Sequence, residues 1–574
     1  MHGSSDSGLH EADVRTQWGV RIPLRDGVEL NATLYLPANH AEPGPAIVTL
    51  TPYIGQTYHD RGIYFALHGY PFLTVDVRGR GNSSGTFRPF IDESRDAYDV
   101  VEWVARQPFC NGRVSMWGGS YGGYVQWAAA KEFPEHLTAI VPVASPHFGT
   151  DFPGRSNMPM PYMMQWLTLV WGRTSQDKLF WNKERYWGDK FRQLFEAGAP
   201  YRTFDEQLGC PSPTFQEWVA HPRQDSYWDA YNPTPQHYAR MSLPVLTITG
   251  IYDGDQPGAL MHYRQHMDHA SEAAREKHYL IIGPWDHAGT RAPAQRFCGL
   301  EMGPESLVDL AKLHLDWYAW TLREGPKPAF LKNKVAYYVP VADRWRYADS
   351  LDAVTLRSEP FYLNSSSSPT DVFHSGMLGD GPSSAGVDSY VYDPCEVSLA
   401  ELESSVDPES RADQRMTHAA RGRLLIYHTE PFAEDLEVTG FFKFQAWLSI
   451  DQPDTDFRVA VYDVALDGSV VLLTTDYLRA RYRTSLREEQ LIETTQPLSY
   501  EFNRFTFTSR LIRKGHRLRL VFGPSHSIYS QKNYNSGGVV ATESMRDARA
   551  VTVRLFHDRE HPSALHVPLG HPER

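Results

Sequence analysis

The sequence predicts an α/β-hydrolase domain interrupted by a helical cap and followed by an all-β sandwich, a jelly roll. Three observations carry this. Strands alternate with helical segments up to Ser145 and again after Met241, as in βαβ units with a parallel sheet. Between them, from Pro146 to about Met241, β patterning gives way to loop and helix text dense in Trp, Tyr, Phe and Met. Beyond a linker near Ala348 to Ser358, many short alternating strands separated by turns run on towards the C-terminus. At 574 residues the chain is too long for one core. The domains are placed at 1–145 with 242–352 (hydrolase), 146–241 (cap) and 353–574 (β-sandwich).

Taken in order, Trp18–Leu24 and Glu29–Leu36 alternate as two strands, with Arg25-Asp26-Gly27 as their turn. Pro45–Leu50 reads as a buried strand and Phe72–Val77 as another. Ser94–Gln107 carries Tyr98, Val101, Trp103 and Val104 at helical spacing. A strand ending in Gly118-Gly119 runs directly into Ser120 and a helical run, and Ile140–Ala144 is a further strand. After the cap, strands resume at Val245–Gly250 and Tyr279–Gly283, and a helix is expected at about Leu307–Leu322. In the last domain the strands include Leu424–Tyr427, Phe442–Ile450, Arg458–Tyr462, Val470–Leu473, Arg517–Val521 and Val551–Leu555.

Composition excludes several functions. Hydrophobic content of 41% and charged content of 22% fit a soluble globular enzyme. A net charge of −13 with no basic tract argues against nucleic acid. No apolar run approaches the ~18 residues of a membrane span, and the polar stretch Met1–Gln17 has no secretory h-region. The four cysteines are far apart, which disfavours a zinc site or disulfide framework and fits a reduced, cytoplasmic setting. Neither a metal nor another cofactor is expected. Assembly is not legible, a homodimer being one option.

The chemistry centres on Gly118-Gly119-Ser120-Tyr121-Gly122. Gly-x-Ser-x-Gly between a strand and a helix is a nucleophile elbow: the turn leaves the hydroxyl proud of the sheet, above a helix N-terminus that favours negative charge. A serine hydroxyl needs a base, and the base needs an orienting acid, in the chain order Ser, Asp or Glu, His. The two strands after the cap end in Ile251-Tyr252-Asp253-Gly254-Asp255 and Gly283-Pro284-Trp285-Asp286-His287, on the same rim as the elbow. Asp253 is the expected acid, with Asp255 and Asp286 as competitors, and His287 the expected base. The oxyanion hole needs donors where charge develops. The Tyr121 N–H is one; the hydroxyl of Tyr53, in Thr51-Pro52-Tyr53-Ile54-Gly55, can be the other, packing being its alternative role. Asp76-Val77-Arg78-Gly79-Arg80-Gly81-Asn82-Ser83-Ser84-Gly85 faintly suggests a dinucleotide loop, but it lacks the third glycine at the required spacing and a helix directly behind it. It is a strand-end loop near the site.

Together the elbow with Tyr53, the Asp-Val-Arg-Gly-Arg-Gly loop, Tyr252-Asp253-Gly254 and Gly283-Pro284-Trp285-Asp286-His287 resemble the cocaine esterase-type serine hydrolases. These are related to X-Pro dipeptidyl-peptidases and α-amino acid ester hydrolases. The resemblance extends to Asp454-Thr455-Asp456-Phe457 and Asn535-Ser536-Gly537-Gly538, and so spans almost the whole chain except the cap. It implies the three-part architecture, the triad Ser120, Asp253 and His287, and a hole made by the Tyr53 hydroxyl and Tyr121 N–H. The chain departs from the family in Ile54-Gly55, where a charged residue is frequent, and in its cap.

The expected reaction is hydrolysis of a small-molecule ester, or an activated amide, through an acyl-enzyme. The cap is rich in Tyr162, Trp166, Trp171, Phe180, Trp181, Tyr186, Trp187, Phe191, Trp218, Tyr227 and Trp228. Trp166 and Trp171, with Trp285, are the expected pocket residues, favouring bulky or aromatic acyl groups. The competing reading is a peptidase, acylase or α-amino acid ester hydrolase, which needs carboxylates to bind an ammonium. Asp151, Asp205, Glu206 and Asp255 are the candidates. A non-catalytic binding protein is the reading from another class, disfavoured by an ordered nucleophile, acid and base.

Ser120→Ala and His287→Ala are expected to abolish turnover with the fold intact, since the three residues act as a unit. Asp253→Asn should also cost heavily by favouring the wrong imidazole tautomer. Steady-state assays beside circular dichroism check this; a loss on Asp255→Asn but not on Asp253→Asn reassigns the acid.

Overall fold

The computed structural model describes residues 10–39, 42–182, 186–383 and 386–571. The hydrolase sheet begins with β1 (Val14–Pro23), β2 (Glu29–Pro37), β3 (Gly44–Thr51), β4 (Phe72–Asp76), β5 (Cys110–Gly119) and β6 (Leu137–Val143). It continues with Val245–Gly250, His278–Gly283, Val335–Val339 and Arg344–Ala348, in the order β1-β2-β4-β3-β5-β6 followed by those four. From β4 to Val335–Val339 every neighbouring pair is parallel, and antiparallel strands close both edges. The central strands are buried on both faces, with Thr49, Thr74, Thr247 and Thr249 buried among their apolar residues.

Helices cover both faces. On one side α2 (Glu93–Ala105) and α3 (Tyr121–Ala130) pack with the cap in a single apolar core. On the other, α1 (His59–Leu67) and Leu310–Arg323 pack around Trp117, Trp285 and Trp317. The cap carries α4 (Tyr162–Leu169), Gly188–Ala197 and several shorter helices. It also holds a two-residue hairpin, Gly154–Arg155 with Met158–Pro159, too short to leave a period in the sequence. The hairpin of Val335–Val339 and Arg344–Ala348 was not legible either. Its first strand is wholly buried, so Ala336, Tyr337 and Tyr338 show no alternation.

The expected linker is short. A single helical turn at Asp352–Val354 leads into the strand Arg357–Asn364, which already pairs with Ala564–Leu569 of the β-sandwich. The sandwich is a mostly antiparallel system of strands around one apolar core. Among the described residues no helix is long and apolar enough to cross a membrane.

The sandwich and the first two domains are bound at named places. Gln256 exchanges two hydrogen bonds with the Phe507 backbone, donating to its carbonyl at 3.1 Å and accepting from its N–H at 2.6 Å. The Gln531 N–H donates to Pro159 O and Arg202 N–H to Ala541 O. Lys532 donates to Phe195 O at 2.8 Å, and Ile528 and Ala541 enter the cap's apolar core. Behind this face Asp456 pairs with Arg479, and Asp454 with Arg481, all almost without exposure. Asn533 donates to both carboxylates. Removing one member of such a buried pair costs about 3–5 kcal/mol, because it strands the other charge.

A Met1–Ser358 fragment is therefore expected to be insoluble or inactive, since it would expose the apolar surface that Phe507, Ile528 and Ala541 cover. Expression of the fragment beside the full chain, with ester assays on the soluble fraction, checks this. A soluble, fully active fragment overturns it.

Candidate active site

The site is built at the carboxyl ends of the parallel strands. β5 lies between β3 and β6 and delivers Ser120, whose N–H donates to Val143 O at 2.9 Å. Ser120 sits at φ 59°, ψ −123°, and α3 starts at the next residue, with Gly123 and Tyr124 N–H both bonded back to Ser120 O. The Tyr121 N–H belongs to the first helical turn, whose donors have no partner within the helix. A Cβ on Gly118 would stand 2.9 Å from Gly122 O, and one on Gly123 2.8 Å from Val143 O. A Cβ on Gly122 would make ordinary contacts. The tight elbow therefore demands Gly118 and Gly123, one of which lies outside the Gly-x-Ser-x-Gly pattern.

The loops after Val245–Gly250 and His278–Gly283 bring Asp253 and His287 together. Asp253 Oδ1 lies 2.8 Å from His287 Nδ1 and also accepts the Asp255 N–H; Asp253 Oδ2 accepts the Thr249 hydroxyl. Burial opposes ionisation of Asp253, but the His287 charge and these hydrogen bonds outweigh it and hold the carboxyl below its ordinary value. The competitors are placed differently. Asp286 caps its own loop by accepting the Gly289 N–H, and Asp255 Oδ2 stands 3.8 Å from His287 Nδ1. Asp255 thus supplies charge where Asp253 supplies the hydrogen bond. Burial, with Asp253 adding repulsion, pushes Asp255 up to about 6 against the pull of His287. Burial alone would lower the His287 pKa, but Asp255 and Asp253 together raise it above its ordinary value, with Arg291 opposing them. Thr249 and Arg291 left no signal in the sequence, being single polar residues on a strand and in a loop.

Tyr53 is half-buried, accepts the Trp166 indole N–H at 3.0 Å, and is engaged by the Ser120 side chain. Burial pushes its phenol pKa up, which keeps the hydroxyl a proton donor. Trp166, on α4, stacks on the Tyr121 ring at 5.9 Å and 16°. The other two expected pocket residues lie elsewhere. Trp171 is 46% exposed, past the end of α4. Trp285 is wholly buried: its indole donates to Ser306 O and its ring packs against Trp345, so it belongs to the core beneath the sheet. Two residues before His287 in the chain, it is held in the core by the Ser306 carbonyl and the Trp345 ring instead.

Of the four candidate carboxylates for an ammonium, two are in reach of the site. Asp151 is buried, accepts the His147 and Gly258 N–H groups, and is raised well above its ordinary pKa by burial and by Asp255. The Arg155 guanidinium opposes that shift while donating to Gly254 O at 2.7 Å. Asp205, by contrast, is consumed inside the cap by the Ser212 and Glu206 N–H groups and Gln216, and Glu206 is exposed.

Residues 26–289 match the X-Pro dipeptidyl-peptidase (S15 family), and residues 326–566 match the X-Pro dipeptidyl-peptidase C-terminal non-catalytic domain. The chain is also 28% identical to the cocaine esterase of Rhodococcus sp. (strain MB1 Bresler), over 96% of this chain and 98% of that protein. The chain belongs to the cocaine esterase-type and X-Pro dipeptidyl-peptidase-like serine hydrolases. Solved structures share the fold of this family over nearly the full length. An aminopeptidase from a marine sediment Thaumarchaeota archaeon superposes with a TM-score of 0.82 at 22% identity, covering 99% of this chain and 98% of the other. An α-amino acid ester hydrolase gives 0.82 at 21% identity, with the same coverage. The C-terminal match begins before the strand Val335–Val339, so the family boundary precedes the point at which the chain leaves the hydrolase sheet.

A general base must be neutral to accept a proton, so with His287 in that role its raised pKa is expected to place the acid limb of kcat/KM at higher pH than an ordinary histidine would. Asp255→Asn removes one of the two raising charges and is expected to move that limb to lower pH. Profiles of kcat/KM from pH 5 to 9 for both proteins check it; an unmoved limb shows that Asp255 does not act on the base.

Proposed function

We propose that this protein hydrolyses carboxylic esters of small molecules through an acyl-enzyme on Ser120. The observation that carries the reading is the Ser120 elbow at the same strand-end rim of the sheet as a His287–Asp253 pair held at 2.8 Å. In the proposed cycle Ser120 Oγ attacks the acyl carbon while His287 Nε2 takes its proton. Asp253 keeps Nδ1 protonated and stabilises the imidazolium. The negative charge on the former carbonyl oxygen is met by the Tyr121 N–H and the Tyr53 O–H. The tetrahedral adduct collapses, the C–O bond to the leaving group breaks, and His287 returns the proton to it. Water then repeats the sequence on the acyl-enzyme, releasing the acid and restoring Ser120. Reaction with a fluorophosphonate probe, lost in Ser120→Ala, tests the nucleophile; a probe that leaves Ser120 unmodified favours the binding-protein reading.

For the acyl group we favour bulky or aromatic, uncharged acids, supported by Tyr162, which is partly exposed and within electrostatic reach of Tyr53. Trp166 is itself buried in the cap core and meets the site through its N–H on Tyr53. Most of the cap's rings support this less than expected. Phe180, Trp187, Phe191, Trp218 and Trp228 are buried against one another and the hydrolase, so they shape the cap rather than offer a wall. A second reading is favoured by one observation, the buried Asp151 and half-buried Asp255 near His287. A substrate ammonium between them would relieve their repulsion, as an aminoacyl ester or a peptide N-terminus would supply. Comparing kcat/KM for matched phenyl-type, acetyl and aminoacyl esters separates the two, and the aromatic ester is expected to lead. Preference for the aminoacyl ester, reduced at least tenfold by Asp255→Asn, transfers the assignment to the second reading.

A further inference from the structure

The Asp76–Gly81 loop, which resembles the family but has no part in the chemistry above, reaches both the cap and the loop that carries Tyr53. Next to Tyr53, Ile54 is held at φ 70°, a left-handed conformation that a β-branched residue strongly resists. The segment is gripped on either side of it. Asp76 Oδ1 accepts the Gly55 N–H at 2.7 Å, and Arg80 Nε donates to Pro52 O at 2.8 Å. The same guanidinium, wholly buried, donates through Nη1 to Val170 O at 2.7 Å and to Gly172 O. Those carbonyls follow directly on α4. One turn back from its end α4 carries Trp166, whose N–H occupies a lone pair of the Tyr53 hydroxyl. With that lone pair filled, the phenolic hydrogen must point away from Trp166. The loop can fold this way because Gly81 takes φ 52° where a Cβ would stand 2.2 Å from Asp76 Oδ2. The Trp166 ring is seated in turn on Tyr121, whose hydroxyl bonds to the buried Glu93 and accepts the Phe90 N–H at 2.9 Å.

We propose that Arg80 and Trp166 are positioning residues for the oxyanion donor. Arg80 locks the Tyr53 backbone to the end of α4, and Trp166, carried by α4, sets the direction of the Tyr53 O–H. The inference rests on the reading of Tyr53 as a donor to the oxyanion. It makes the cap part of the catalytic apparatus and not only of the pocket. Arg80 suits the task because a planar guanidinium can serve three carbonyls from two elements at fixed angles, which an ammonium cannot.

A double-mutant cycle tests this in the full-length protein, using a phenyl ester under conditions where acylation limits turnover. Tyr53→Phe should lower kcat about 10²–10³-fold, the usual effect of losing one oxyanion donor. Trp166→Phe keeps the ring on Tyr121 and deletes only the N–H. It should lower kcat about 5–10-fold, the scale of one neutral hydrogen bond, with KM changed less than twofold. Arg80→Lys should lower kcat at least as much. In the Tyr53→Phe background both substitutions should change kcat less than twofold. Equal losses in both backgrounds, or wild-type kcat for Trp166→Phe, overturn the inference while leaving Tyr53 as a donor. A wild-type kcat for Tyr53→Phe instead overturns the donor reading itself, and the positioning role with it. Should Arg80→Lys fail to fold, the Trp166 arm decides alone.

Discussion

Ser120 at φ 59° and Ile54 at φ 70° are held in backbone conformations that each cost about 1–3 kcal/mol. The geometry of the site depends on the contacts that hold them there. For Ser120 the restraint is the sheet: two parallel neighbours fix β5, Val143 O takes the Ser120 N–H, and α3 begins at once. For Ile54 it is a pair of buried side chains, Asp76 and Arg80, at opposite ends of a four-residue loop. The two strained residues stand beside the two proposed oxyanion donors, Tyr121 and Tyr53. Donors fixed in advance need not reorganise as charge appears, which is where an acyl-transfer site gains most of its advantage over water.

Electrostatics follows from the same crowding. Buried Asp253 and Asp151 and half-buried Asp255 share one neighbourhood, and only Asp253 has its charge matched by a direct hydrogen bond from His287. Burial raises the cost of each charge, so the cluster favours a proton or an arriving cation over a third isolated carboxylate. Arg155 and Arg291 relieve part of this from the flanks. The surplus negative charge biases the base upward and gives the aminoacyl reading its footing. On the proposed readings, discrimination between substrate classes turns on charge at one end of the site as much as on the rings at the other.

Much of the frame was legible. The parallel sheet, the cap and the sandwich follow from changes in period, and the strand-end positions of Asp253 and His287 from chain order. What escaped has physical causes. Val335–Val339 is buried on every side and so carries no alternation, and the cap's two-residue hairpin is shorter than any period. Trp285 shows the limit of proximity in sequence: two residues before His287, it turns into the core instead of the pocket. Asp253 was the preferred acid in the sequence, with Asp255 left as a competitor two residues away; the distances to His287 Nδ1, 2.8 Å against 3.8 Å, give Asp253 the hydrogen bond. Arg80 was visible only as part of a motif. Its role depends on carbonyls ninety residues downstream, which no local pattern encodes.

The β-sandwich enters the same argument at one point. Gln256 follows Asp255 directly, and its side-chain amide is spent on four backbone groups: the carbonyls of Gly250, Ile251 and Phe507, and the Phe507 N–H. Gly250 and Ile251 begin the turn that carries Asp253, whereas Phe507 belongs to the sandwich. A buried primary amide satisfied from both domains cannot shift toward either without leaving a polar group unpaired, at about 1–3 kcal/mol each. The sandwich thus holds one end of the acid loop as Arg80 holds one end of the oxyanion loop. In each case the restraint comes from a different part of the chain than the residue it positions, which ties the hydrolase sheet, the cap and the sandwich into one structural unit around Ser120.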